Sequence, residues 1–226
     1  MSINAVKLIN HSQGADNEDG TRENLEELVC YCARVSNPSN QLNTSTNTKL
    51  LNYLIKHSHW SPFEMVSICL EINTTRDIAR QILRHRSFSF QEFSQRYAEP
   101  ELGFEYKDAR LQDKKNRQNS IELNSDQSDI AEQWQKEQLK VEDQCQTAYN
   151  WAISAGIAKE QARAVLPEGM TMTRLYMNGT LRSWIHYINL RTADGTQREH
   201  RIIAGGCASV IEPLFPQIAQ FNHFTD

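Results

Sequence analysis

Residues 84–97 read Arg-His-Arg-Ser-Phe-Ser-Phe-Gln-Glu-Phe-Ser-Gln-Arg-Tyr, so three arginines, a histidine, a glutamate and three serines are threaded with aromatic rings. Groups of this kind receive anions. An arginine fork donates two parallel, charge-assisted hydrogen bonds to a phosphate or carboxylate, each contributing roughly 1.5 to 3 kcal/mol. Between Arg76 and Arg96 five arginines stand against two acids, Asp77 and Glu92, a local charge of +3 in a chain whose net charge is -4. Ser89 and Ser94 add neutral donors. Such a cluster is either a solvated arginine-rich turn with surface ion pairs or the receiving end of an anion site.

A second cationic stretch, Arg163 to Arg201, holds six arginines and three acids. Within it Arg182, His186 and Asn189 recur at helical spacing, opposite Leu181, Trp184 and Ile188. A helix striped in this way and ending at Arg191 either lines a polar cleft or presents an ordinary surface face. A third group, His57 to Glu64, pairs His57 with His59, an arrangement that a strand would place on one face for a metal. No third ligand set stands at a recognisable distance, so no metal is expected; Ser61, Pro62 and Glu64 form a polar turn instead.

These residues need a scaffold, and hydrophobic periodicity supplies its outline. Ala5–Ile9 and the alternating Met65–Asn73 read as strands, as does Met170–Asn178. Helical spacing predicts helices over 23–35, 46–57, 130–155, 159–165, 181–190 and 197–211. Another helix follows a capping Thr74 or Thr75, with Ile78, Ile82 and Leu83 as its apolar stripe. On it Arg80 and Arg84, and Gln81 and His85, form adjacent rows toward the C-terminal end, whose dipole favours cations. Residues 107–128 are nearly devoid of large apolar side chains and read as a polar insertion or mobile loop. The sum is a single α+β domain, rich in helix.

Composition closes off several classes. A chain of 226 residues with 39% hydrophobic content supports a core, yet no run approaches the ~18 apolar residues of a membrane span. The short Ala5–Ile9 run carries Lys7 and does not read as a signal peptide, so a cytoplasmic protein is expected. Five irregularly spaced cysteines are expected to be reduced thiols. An isoelectric point near 6.0 disfavours coating of nucleic acid by bulk charge.

Taken in order, the motifs resemble the flavin-dependent thymidylate synthases. The signature R-H-R-x-x-S is met by Arg84 to Ser89, and its continuation E-x-S-x-R-Y by Glu92 to Tyr97. The upstream H-x-(S/T)-P-F-E is met by His59 to Glu64, and the downstream helix ending in L-R by Leu181 to Arg191. The resemblance spans roughly residues 25 to 211. It implies a small, mainly antiparallel sheet, a homotetramer with active sites shared between subunits, and methylation of dUMP to dTMP. Methylenetetrahydrofolate gives the carbon, and FAD relays reducing equivalents from NADPH.

The same resemblance assigns residues. Ser61, Glu64, Arg84, His85, Arg86, Glu92, Thr180, Leu181, Arg182 and His186 would hold FAD. Gln81, Ile82, Leu83, Arg84, Glu92, Phe93, Ser94, Gln95, Arg96, Arg163 and Arg191 would hold dUMP. His59 and Tyr97 would lie near the folate. Arg191 is the catalytic candidate: one charge about 4 Å from the pyrimidine edge contributes roughly 4 kcal/mol at an effective dielectric near 20. Three positions depart from the family pattern, where Gln91 and Thr180 replace a common asparagine and Gln95 a common glycine or alanine.

Two other classes compete for these residues. A single-strand nucleic-acid module would use Phe88, Phe90 and Phe93 as stacking platforms, but the chain's net charge is -4 and no binding fold is recognisable. The cysteine-dependent thymidylate synthases carry a Pro-Cys motif that is missing here, and Cys145 falls on a polar helix.

Overall fold

A computed structural model describes residues 5–15, 24–99 and 102–224, and its centre is a pair of nine-residue antiparallel strands. β2 (Ser67–Thr75) alternates buried Ile68, Leu70 and Ile72 with half-buried neighbours. β6 (Met172–Thr180) pairs with it along its whole length, Ser67 opposite Thr180 and Thr75 opposite Met172. β1 (Val6–His11) lines the free edge of β2, and β3 (Phe88–Glu92) that of β6, giving the order β1-β2-β6-β3, antiparallel throughout.

Both central strands pass into helices with no connecting residue. Thr75 is the last residue of β2 and the N-cap of α3 (Arg76–Ile82), and Thr180 stands likewise between β6 and α6 (Leu181–Arg191). Thr180 Oγ1 accepts the Ser183 amide at 3.3 Å, the N-cap bond that starts α6. At Thr75 the hydroxyl instead donates to the Asp77 carboxylate at 2.5 Å.

Around the sheet lie α1 (Leu25–Ala33), α2 (Asn47–Lys56), the long α4 (Ser128–Ser154), the short α5 (Lys159–Ala162) and α7 (Arg198–Ile211). Glu23, where the first helical pattern begins, lies outside the described residues. Leu181, Trp184 and Ile188 do form the buried face of α6, and the Trp184 indole N–H donates to Ile68 O at 3.0 Å. The arrangement is α+β: one helix-rich domain around a small antiparallel sheet. Among the described residues no helix is long and apolar enough to cross a membrane.

Two expectations need correction, and one strand lies where none was expected. First, α3 ends at Ile82, and the backbone tightens into a turn, with His85 N donating to Ile82 O at 3.0 Å. Arg84 and His85 therefore lie beyond the helix, and the two expected rows do not continue to them. Second, the signature is partly a strand: Phe88 and Phe90 alternate with Ser89 and Gln91 in β3, and Phe88 packs where Gly179 has no side chain. A Cβ on Gly179 would stand 2.3 Å from Phe88 Cδ1. Third, the polar insertion holds a hairpin, β4 (Arg110–Gln112) with β5 (Ser120–Glu122), and α4 starts at its last residue, Ser128. Asp113 accepts the Lys115 and Asn116 amides and the Asn119 side chain, which shapes the hairpin turn without any apolar core.

Candidate active site

The turn after α3 sets the first group. It leaves His85 half-buried against the end of α6, where Arg191 Nε donates to His85 Nε2 at 2.9 Å. The ring also meets Tyr187 edge-on at 4.9 Å. Burial, with Arg191 beside it, lowers the His85 pKa to about 4, so the imidazole is neutral at pH 7 and accepts this bond. Gln81, one turn earlier, donates its amide to Gln197 at 2.8 Å and lies 3.2 Å from His200 Nδ1. Arg84 and Arg86 are exposed and form no ion pair with a described residue.

A second group follows β3. Gln95 is 4% exposed, and its amide nitrogen has no hydrogen-bond partner among the described residues. It lines a cleft of about 360 Å³ together with Arg76, Arg80, Arg163 and Glu168. Arg80 is held by Glu168, with Nε 2.7 Å from both carboxylate oxygens, and Arg76 lies 3.4 Å from Glu92. Arg163 Nε donates to the backbone carbonyl of Glu160 at 3.2 Å. Arg96 pairs with Glu160 at 3.3 Å, and the Ser94 hydroxyl accepts the Arg96 amide at 3.4 Å. An unpartnered buried amide beside arginines is a donor set for an oxyanion.

The third group sits where the His59–Glu64 turn meets α6. Arg182 lies 3.4 Å from Glu64, and His186 stands edge-on to Trp60 at 5.1 Å. Burial and then Arg182 lower the His186 pKa. His59 is exposed in a turn rather than a strand, stacked near Tyr53 and His57, and the preceding Ser58 takes the left-handed φ of 57°.

Of the residues singled out by sequence, His85 joins Arg191, Glu64 joins Arg182, and Gln95 and Arg163 line one cleft. Within one chain, no hydrogen bond or ion pair among the described residues joins the Gln95 group to the Glu64 group. Ile82 has its side chain fully in the core, so only its backbone is available to a ligand, while Tyr97 is 78% exposed. Glu92 is engaged with Thr173 at 3.0 Å as well as Arg76. The sequence counts Arg76 and Arg80 in its cationic cluster without assigning either to a ligand, and Glu168 in the cleft and Tyr187, Gln197 and His200 behind Gln81 were not singled out. The only signal for His200 was a histidine on a helix otherwise read by its apolar residues.

Fold and site thus define an α+β protein whose arginines, neutral histidine and orphaned amide are gathered around a four-stranded antiparallel sheet. A family model described as "Thymidylate synthase complementing protein" matches residues 19–217, and the chain belongs to that family. A probable flavin-dependent thymidylate synthase of Paramecium bursaria Chlorella virus 1 is 52% identical over 195 residues, covering 86% of this chain and 89% of the relative. A flavin-dependent thymidylate synthase of Synechocystis is 50% identical over 202 residues, covering 89% and 91%. Among solved structures, a UMP/dUMP methylase from Streptomyces cacaoi bound with 5-Br dUMP superposes with a TM-score of 0.80 at 26% identity, over 96% of this chain and 93% of that one.

Proposed function

We propose that this protein is a flavin-dependent thymidylate synthase, converting dUMP to dTMP with methylenetetrahydrofolate as carbon donor and NADPH as reductant through FAD. The observation that carries this is the Arg191–His85 contact of 2.9 Å, which joins the R-H-R segment to the last residue of α6. Because neutral His85 takes only Nε of Arg191, the rest of the guanidinium remains available to a pyrimidine edge, where its charge stabilises an anion on the ring.

The donor sets fit the ligands. Arg84, Arg86 and Arg182, with Ser61, Glu64, Leu181, Thr180 and His186, would hold FAD; the exposed guanidinium groups of Arg84 and Arg86, which form no ion pair with a described residue, suit its pyrophosphate. Bound there, FAD supplies hydride to the nucleotide and is itself reduced by NADPH. Ser94, Gln95, Arg96 and Arg163 would receive the dUMP phosphate, with the orphaned Gln95 amide satisfied by a phosphate oxygen. Gln81, Leu83 and Phe93 complete the nucleotide contacts, and His59 and Tyr97 face the folate. The three groups occupy separate parts of one chain, which favours a homotetramer whose sites draw on more than one subunit.

Purified protein should show oxidised-flavin absorption that NADPH bleaches, form dTMP when dUMP and methylenetetrahydrofolate are added, and run at four times the chain mass in light scattering. Protein that neither retains nor binds FAD would end this assignment.

A further inference from the structure

Gln81 is the middle member of a hydrogen-bonded chain whose direction is set from one end. Glu199, in the first turn of α7, is 6% exposed and receives Arg110 of the β4–β5 hairpin at 2.5 Å. Burial pushes its carboxyl up, but backbone hydrogen bonding, Gln197 and Arg110 together hold it below its usual range. An ionised carboxylate only accepts, so the group reaching it at 2.9 Å is the Gln197 amide nitrogen. Gln197 therefore turns its oxygen to Gln81, which donates at 2.8 Å. Gln81 in turn faces its own oxygen to His200 Nδ1, 3.2 Å away, so this nitrogen carries the hydrogen. His200 Nε2 is left with a lone pair, and the Tyr187 hydroxyl donates to it at 3.0 Å.

Every link follows from the one before. His200 is fully buried, and burial, followed by Arg191 and His85, holds its pKa down at about 3, so the imidazole cannot carry the second proton that would break the sequence. At the far end the Tyr187 ring is the one that meets His85 edge-on at 4.9 Å. Among the described residues Gln81 keeps one N–H and one lone pair uncommitted, and their directions are no longer free.

We propose that Glu199 and His200 are positioning residues of the nucleotide site: through Gln197 and with Tyr187 they lock the Gln81 amide in one orientation for the incoming nucleotide. The inference rests on the reading of Gln81 as a dUMP contact. It also gives the polar insertion a part in the chemistry, since Arg110 anchors the carboxylate that sets the direction.

The test uses the FAD-loaded enzyme and titrates dUMP, followed by the change in flavin absorbance and by the steady-state KM and kcat. Replacing His200→Leu together with Tyr187→Phe removes the lock without leaving a buried hydroxyl unpaired. The KM and apparent Kd for dUMP should rise about tenfold, equivalent to about 1.4 kcal/mol, with kcat within about twofold and FAD content unchanged. His200→Asn, which places an N–H near the position of Nδ1, should restore most of the affinity. Glu199→Gln, which can give as well as accept, should raise the KM by about threefold without changing packing volume. A double variant with wild-type dUMP KM would overturn the lock, as would equal loss of FAD and dUMP with no recovery in the asparagine variant. A wild-type enzyme indifferent to dUMP would overturn the nucleotide reading and this inference with it.

Discussion

The buried His200 should make the protein measurably acid-sensitive. Its pKa falls from an ordinary 6.5 to about 3, burial being the first cause. A histidine with a depressed folded pKa contributes stability that is complete above its unfolded value and is lost as pH falls toward the folded one. Between pH 6.5 and about 3 the unfolded chain therefore holds a proton that the folded chain refuses. At pH 4.5 the unfolded imidazole is two pH units below its pKa and the folded one is still neutral, so the loss is about 3 kcal/mol at 1.36 kcal/mol per unit. That is a large part of the ~5–15 kcal/mol by which domains are stable. Urea unfolding at fixed protein concentration, at pH 7.5 and 4.5, measures it in the wild type and in His200→Asn. The variant starts lower, having lost the Tyr187 bond, but its drop between the two pH values should be smaller by about 3 kcal/mol. Carboxylates and His85 titrate in both proteins and cancel. Equal drops in the two proteins would refute the assignment of a neutral, proton-refusing His200.

Further expectations concern the site and the sheet. Arg191→Ala should depress dTMP formation far more than flavin content, and Arg191→Lys should restore only part, because a point charge does not reproduce the planar fork; activity and absorbance measured on the same preparations check this. A variant with all five cysteines replaced by serine or alanine, if folded and flavin-loaded, should still form dTMP. Burial raises the Cys30 thiol to about 11 and pushes Cys207 up as well, so neither is a ready thiolate. Gly179→Ala drives a Cβ into Phe88 and should cost about 1–3 kcal/mol in unfolding experiments, with some loss of flavin because the R-H-R turn leads directly into β3.

Much of this fold was legible because its central pieces obey simple periods. The strict alternation of Ile68, Leu70 and Ile72 marked β2, and the Leu181, Trp184, Ile188 stripe marked α6 within one residue of its end. β3 was harder: its Phe88–Phe90 alternation lies inside a polar signature, and an edge strand of five residues buries only one side chain fully. The β4–β5 hairpin has three residues per strand and no buried side chain, so no hydrophobic pattern could have announced it. The paired motifs were visible from their residue types, but the His85–Arg191 contact and the cleft shared by Gln95 and Arg163 bring together positions distant in sequence. The chain through Gln197, Glu199 and His200 escaped detection for a related reason. Its members are polar residues at the start of a helix that solvent would ordinarily be expected to claim, and only tertiary packing buries Glu199 and His200.

The two strand-to-helix junctions without connecting residues lie at opposite ends of the β2–β6 pair. Nine paired residues span about 27 Å, while the seven residues of α3 and eleven of α6 rise about 10 and 16 Å. The strand pair is thus a ruler, and the two helices launched from its ends converge where His85 meets Arg191. One residue gained at either junction would slide its helix by about 1.5 Å and turn it by about 100°, with no loop to absorb the error. A residue gained in the turn between Gln112 and Ser120 leaves the sheet untouched, because that hairpin lies outside it, but a codon gained or lost beside Thr75 or Thr180 would separate the two halves of the site.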